Sequence, residues 1–164
     1  MQRSYVRDLW FEIAAASLLP HRWRTRALRR AGLMIGDGVL VMARTRFNGS
    51  AQIEVGSRTF INSDCFFDAA GPITIGEQVR IGDHVRLITS THEIGSPSQR
   101  AAEGYSQAVH VEDGAWLASG VTVLPGVTIA AGCVIAAGAV VTRTTSTNGL
   151  YAGVPARRIR DLAH

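Results

Sequence analysis

From Ile35 onward, apolar residues recur every six positions. Val111, Leu117, Val123, Ile129, Ile135 and Val141 form an unbroken aliphatic series, and four residues beyond the first five stand Ala115, Val121, Val127, Cys133 and Ala139, each small or valine. The same frame runs through Val55, Ile61 and Phe67, through Ile75, Ile81 and Leu87, and more loosely through Ile35, Val41 and Phe47, with two-residue slips near 53 and 73. A period of six is neither the 3.6 of a helix nor the 2 of a long half-buried strand. It suits short parallel strands joined by tight turns, with one hexapeptide on each face of a three-faced prism and three hexapeptides per coil. The frame therefore predicts an all-β solenoid, a parallel β-helix of about five coils at 35–52, 55–72, 75–92, 111–128 and 129–146. A doubly wound α/β domain is the competing fold, but VTVLPGVTIAAGCVIAAGAVVT has no amphipathic helical spacing to supply its crossover helices. After His92 the stretch EIGSPSQRAAEGYSQAVH leaves the period, which predicts a protruding loop over 93–110.

Before the coils the pattern is helical. Val6, Leu9, Trp10, Ile13 and Ser17 fall on one stripe, with Arg3, Arg7 and Asp8 mostly off it, and Pro20 ends that helix. A second short helix, His21 to Ala31, sets Trp23, Ala27, Leu28 and Ala31 against Arg22, Arg26, Arg29 and Arg30, with Gly32 where a C-terminal cap belongs. The apolar run Leu9 to Leu19 is too short to span a bilayer, and Glu12 interrupts it as a signal peptide core, so it is expected to be retained. Three parts follow: a basic amphipathic helical segment at 1–34, a β-helix at 35–146 with the loop 93–110, and a basic C-terminal tail at 147–164.

Composition narrows the chemistry. The chain has 164 residues, 46% hydrophobic and 18% charged, which suits one folded domain and excludes disordered, coiled-coil and collagen-like chains. Lysine is absent, so neither a Schiff-base lysine nor a Walker-type phosphate loop can exist. Cys65 and Cys133 form no CxxC pair, which argues against a disulfide framework or a cysteine zinc site and for a reducing compartment. The net charge of +4 is uneven: residues 1–34 sum to +5, residues 35–150 to −3, and the last fourteen residues to +2. That distribution is not a nucleic-acid surface. Basic ends suit a membrane surface or phosphate groups, or are simply solvated arginines.

Beyond the repeat itself, the segments FINSDCFFDAAGPITIG, ITSTHE, the loop ending in GYS, EDGAWLASGVTVLPGVTI and AGVPARRIRDL carry a resemblance. Over residues 55 to 162 the sequence resembles the hexapeptide-repeat acyltransferases and, among them, the maltose- and galactoside-type sugar O-acetyltransferases. The resemblance implies a left-handed β-helix, a homotrimer, and acetyl-CoA as acyl donor with no metal. It puts the general base on His92, since a histidine near neutral pKa can take a proton from an attacking alcohol. It assigns Asn62 to the acceptor hydroxyl, the alternative being a turn asparagine at a solenoid corner. Because Asn62 belongs to another coil and another prism face, a neighbouring subunit is expected to bring it to His92. Asp68 is a candidate for contacting the acceptor or fixing His92. Galactoside-type members carry a carboxylate one or two positions later, where this chain has Ala69 and Ala70.

Ser119 and Ala137 should stack on adjacent coils, leaving a groove of exposed amides for the pantetheine arm of CoA, with an N–H near the thioester oxygen. By resemblance Thr142 and Arg143 line the same channel. Arg157 and Arg160 are suited to the CoA phosphates, or are solvated tail charge. Trp116 should lie on the outer surface near the loop base, bordering the cleft or buried in the trimer contact, and Tyr105 should shape the acceptor pocket or anchor the loop. The expected acceptor is a sugar or cell-surface polysaccharide precursor, the alternative an antibiotic or other small natural product. Two other classes compete: a γ-class carbonic anhydrase using His84, His92 and His110, and a non-catalytic structural solenoid. The basic hairpin resembles extensions of acetyltransferases that act on lipid-linked precursors. It implies a cytoplasmic protein in peripheral contact with the inner membrane face, unless the hairpin instead caps the solenoid.

Overall fold

The structure, a computed structural model, describes residues 5–163. Two helices, α1 (Tyr5–Ala15) and α2 (His21–Arg30), precede a stack of short parallel strands. The first face of the prism stacks Met34–Ile35, Ile53–Val55, Ile73–Ile75, Val109–Val111 and Thr128–Ile129. The second stacks Leu40–Val41, Phe60–Ile61, Arg80–Ile81, Trp116–Leu117, Val134–Ile135 and Gly149–Ala152. The third stacks Arg46–Asn48, Phe66–Asp68, Arg86–Ile88, Thr122–Val123 and Val140–Val141. The six-residue frame is the inward set: Val111, Leu117, Val123, Ile129, Ile135 and Val141 are each at most 2% exposed. Ala115, Val121, Val127, Cys133 and Ala139 are buried at the corners, where the interior narrows. Each inward aliphatic contributes about 1.5–3 kcal/mol by leaving water.

The slips in the frame are longer coils. Ile35 pairs with Val55 and Val55 with Ile75, whereas Val111 pairs with Ile129. Steps along the second and third faces keep the six-residue interval, so every insertion falls at one corner, where the third face returns to the first. The protruding segment leaves from that same corner. It is an antiparallel hairpin of Ser90–Ile94 with Ala101–Ser106, and Val109 has already rejoined the first face. The excursion therefore starts before His92, earlier than the expected loop at 93–110, because Ser90 through Ile94 pair with the returning strand.

The coils also run past residue 146. Gly149–Ala152 adds a strand to the second face, and Arg157–Asp161 folds back antiparallel along its edge. Within the basic tail these two strands extend the sheet, and the return strand covers an edge that would otherwise offer unpaired backbone.

At the other end the helices close the first coil. Phe11, Ala14, Ala27, Leu28, Ala31 and Leu33 join the core. The Phe11 ring lies 5.7 Å from Phe47, which lies 5.1 Å from Phe67. The expected stripe on α1 is turned: Phe11 and Ala14 face inward, Trp10 and Ile13 are partly buried, and Val6 and Leu9 are exposed. Tertiary packing overrides the stripe, because the open coil presents Phe47 to Phe11. Arg3 lies outside the described residues. At the end of α1 and along the connection to α2 the buried Arg24 donates to the carbonyls of Ala14, of Ala16 at 3.1 Å and of Leu19 at 2.7 Å. On α2 the expected cap is present: Gly32 has φ +92°, and the Leu33 N–H reaches the Leu28 carbonyl at 3.1 Å.

Candidate active site

Where the chain leaves the third face, Asp68 anchors the root of the hairpin. Its buried carboxylate accepts the Ser90 N–H at 3.0 Å and the Ser90 hydroxyl, and its carbonyl accepts the Thr89 hydroxyl at 2.6 Å. Two residues on, His92 stands exposed opposite Gly104. Its Nδ1 lies 3.0 Å from the Ala102 carbonyl. A carbonyl only accepts, so Nδ1 carries a proton, and in the neutral ring the lone pair is on Nε2. That is the tautomer a general base needs. Asp68 thus ties down the start of the strand that carries His92.

At the corner between the second and third faces sits Asn62. Its Oδ1 accepts the Ser63 N–H at 2.8 Å, as a turn asparagine does, and its amide nitrogen makes no hydrogen bond among the described residues. Ser119 and Ala137 stack at this corner as expected, the Gly138 N–H reaching the Ser119 carbonyl at 2.9 Å. The Ser119 hydroxyl donates to Asp83 one coil below and helps hold that carboxyl below its ordinary range. Gly82 lets the coils close up here, since a Cβ on it would come within 2.7 Å of the Ser119 nitrogen.

The remaining residues are dispersed. Thr142 and Arg143 follow the third face, one face away from Ser119 and Ala137. Trp116 is 52% exposed on the second face, paired between Arg80 and Val134. That surface is outward, and it lies across the prism from the root of the same chain's hairpin. Tyr105 pairs with Thr91, so it lies on the opposite face of the hairpin from His92. On the return strand Arg158 is structurally committed, donating to Ser146 and Thr147 at 3.0 Å each and to Asp161 at 2.8 Å. Arg157 and Arg160 stay exposed. One chain therefore carries two groups of candidate residues at different corners: His92 with its supports, and Asn62 with Ser119 and Ala137.

His84, His92 and His110 lie at the second corner, on the hairpin and on the first face. Among the described residues no His, Cys, Asp and Glu side chains cluster in threes to hold a metal ion. Both cysteines are buried, and burial pushes the Cys65 thiol up to about 12. A cavity of about 730 Å³ on the third face, edged by Arg44, Arg46, Asp64, Phe66, His84 and Arg86, went unforeseen. The signal was available, because 44, 64 and 84, like 46, 66 and 86, repeat at the interval of the longer coils.

Comparison with known proteins agrees with this architecture. Residues 108–143 match the family described as Bacterial transferase hexapeptide (six repeats). A protein of Dictyostelium discoideum named for an acetyltransferase is 33% identical over 127 residues, covering 77% of this chain and 67% of its own. The galactoside O-acetyltransferase of Escherichia coli (strain K12) is 30% identical over 128 residues, covering 78% and 63%. A hexapeptide-repeat acetyltransferase of Vibrio cholerae O1 biovar eltor, solved in complex with acetyl-coenzyme A, superposes with a TM-score of 0.84 at 29% identity, covering 96% of this chain and 86% of that one. The chain spans 56% to 67% of the length of the curated relatives it matches.

Proposed function

Because the chain belongs to the hexapeptide-repeat acyltransferases, with their left-handed parallel β-helix, we propose that it transfers an acetyl group from acetyl-CoA to a hydroxyl of a sugar or cell-surface polysaccharide precursor. The observation that carries this is the His92 imidazole, held by Ala102 with Nε2 open. Nε2 takes the proton of the acceptor hydroxyl as its oxygen attacks the thioester carbon. The tetrahedral intermediate collapses with cleavage of the C–S bond, the new ester forms, and the thiolate leaves with the proton returned by the imidazolium. No acetyl-enzyme forms, since both cysteines are buried. Ser119 and Ala137 line the pantetheine groove, Thr142 and Arg143 extend it, and the exposed guanidinium groups of Arg157 and Arg160 hold CoA phosphates.

The active unit is a homotrimer, in which the hairpin of one subunit reaches the Asn62 corner of the next. Trp116 and Tyr105 border that shared cleft. His92→Ala should lower acetyl transfer by about 10²–10⁴ while acetyl-CoA affinity stays the same. Mixing inactive His92→Ala and Asn62→Ala chains should restore activity, because some interfaces then combine intact half-sites. A fully active His92→Ala enzyme would sink the mechanism, and absence of complementation would sink the shared site.

No helix among the described residues is long and apolar enough to cross a membrane. We place the protein in the cytoplasm with the helical hairpin against the inner membrane face, where exposed Leu9, Leu18 and Trp23 accompany Arg22 and Arg26. Sedimentation with acidic vesicles should fall on Arg22→Ala/Arg26→Ala substitution and in high salt; indifference of the wild type to such vesicles ends this placement.

A further inference from the structure

We propose that the third face carries a subsite for an anionic group on the acceptor, a carboxylate or phosphate borne by a sugar, gripped by Arg46 and Arg86 over the ring of Phe66. The proposal rests on the acetyl-transfer reading for the word acceptor, and on geometry for the site. Arg46, Phe66 and Arg86 are paired in register on successive strands and occupy the outward positions. Neighbouring strands lie about 4.8 Å apart, so the two arginines flank the ring and their backbones stand about 10 Å from each other. All three edge the cavity of about 730 Å³.

The charges there are not balanced. Arg44 forks onto Asp64 with both bonds at 2.7 Å, which occupies both carboxylate oxygens. Arg46 and Arg86 make no hydrogen bond or close ion pair among the described residues, the charge of Arg46 acting on Asp64 only as a weaker addition to the Arg44 fork, and the His84 ring lies 3.8 Å from Asp83. Two guanidinium forks without hydrogen-bonded partners beside a cavity match carboxylate or phosphate oxygens, and an aromatic face between them suits the C–H face of a sugar ring. The arrangement is confined to this part of the solenoid. Higher on the same face the outward positions are Thr122 and Val140, which carry no charge. The placement also fits transfer, because the third face lies between the corner of Asn62 and the corner that emits the His92 hairpin, with Ile88 of the cavity two residues before Ser90.

The test compares wild type with an Arg46→Gln/Arg86→Gln double variant. Binding of a glucuronate-containing trisaccharide, glucose 1-phosphate and a neutral glucose trisaccharide is read by calorimetry without acetyl-CoA, and acetyl transfer to each is read separately. Wild type should bind at least one anionic probe about tenfold tighter than the neutral one. The double variant should lose that preference while its melting temperature and its KM for acetyl-CoA hold. Which anionic probe wins tells carboxylate from phosphate. Equal binding of charged and neutral probes, no binding of either anion at millimolar concentration, or a preference kept by the double variant overturns the subsite. A charge preference in binding with no acetyl ester formed on any probe would leave the subsite standing and overturn the transfer reading instead.

Discussion

The coils before the hairpin and the coils after it turn their corners with different residues. After it, the left-handed turn positions are Gly114, Gly120, Gly126, Gly132 and Gly138, with φ between 66° and 78°, and only Asn148, at 51°, carries a side chain there among the described residues. Before it, the first coil has Gly38 at 68°, and the same positions then hold Arg44, Arg58, Asp64, Gln78 and His84, with φ between 56° and 61°. One ladder of backbone hydrogen bonds links the two sets: Gln78 donates to Ser57, Gly114 to Glu77 and Gly132 to Asp113 at one corner, while His84 donates to Ser63 and Gly120 to Asp83 at the next. A side chain in this conformation costs about 1–2 kcal/mol. The later coils avoid that strain and present bare backbone, which suits a groove for an extended chain of amides. The earlier coils accept it and gain the Arg44–Asp64 fork, the Arg58–Glu77 pair at 2.7 Å and the rim of the third-face cavity. Corners can differ because the inward residues carry the fold in both halves.

The largest expected effect follows from how the two ends are covered. Removing residues 1–33 strips Phe11, Leu28 and their neighbours from the core and opens the first coil. At about 1.5–3 kcal/mol for each large side chain lost, the early half should not survive as a soluble fold. Removing the return strand Arg157–Asp161, whose residues are all exposed, should leave a soluble solenoid. Soluble yield and dye binding to exposed apolar surface check both. Equal tolerance of the two truncations would mean that the helices are not the cap.

If the core is uniform, equivalent cavities should cost the same on both sides of the hairpin. Leu87 and Leu117 are fully buried, one in each half. Leu87→Ala and Leu117→Ala should each destabilise by about 2–5 kcal/mol in urea titrations. A much smaller cost at Leu87 would show that the earlier coils depend on their decorated corners more than on their interior.

The inward residues explain why so much of the fold was legible. Six-residue spacing reports the prism directly, and the slips near 53 and 73 reported the longer coils. The face of α1 was not legible, because nothing local says that Phe11 will meet Phe47 instead of Val6 and Leu9 setting the orientation. Nor was Arg24, one of five arginines on α2, whose partners are backbone carbonyls at the end of α1 and in the connection after it. Within the candidate site, His92, Asp68 and the Ser119–Ala137 stack stood out through motif and spacing. The third-face cavity did not, since its residues are far apart in sequence and become neighbours only through the length of the early coils.

Exchanging corner residues tests the strain itself. Gly114 lies directly above Gln78 in one ladder, and a Cβ on Gly114 would meet nothing within 4 Å. Gly114→Ala should therefore cost only the backbone strain, about 1 kcal/mol after allowing for the stiffer unfolded chain. Gln78→Gly should gain about the same. Thermal melts of the two variants should move in opposite directions; a loss in both would mean that Gln78 makes contacts worth more than its strain.

The smallest effect concerns the Arg44–Asp64 fork, which has no counterpart in the later coils. Hydrogen bonds from Arg44, and then its charge, hold the Asp64 carboxyl below its usual range. A carboxyl depressed in the folded state binds protons more weakly there than in the unfolded chain. Its contribution to stability is therefore complete above the ordinary carboxylate pKa, near 3.9, and fades as pH falls through the lower folded value. Asp64→Asn removes that term. The variant should melt slightly below wild type at neutral pH, and the gap should close in acid. A gap of the same width at neutral and acidic pH would show that Asp64 acts through its shape at the left-handed corner, and that the earlier coils keep their side chains there for reasons other than charge.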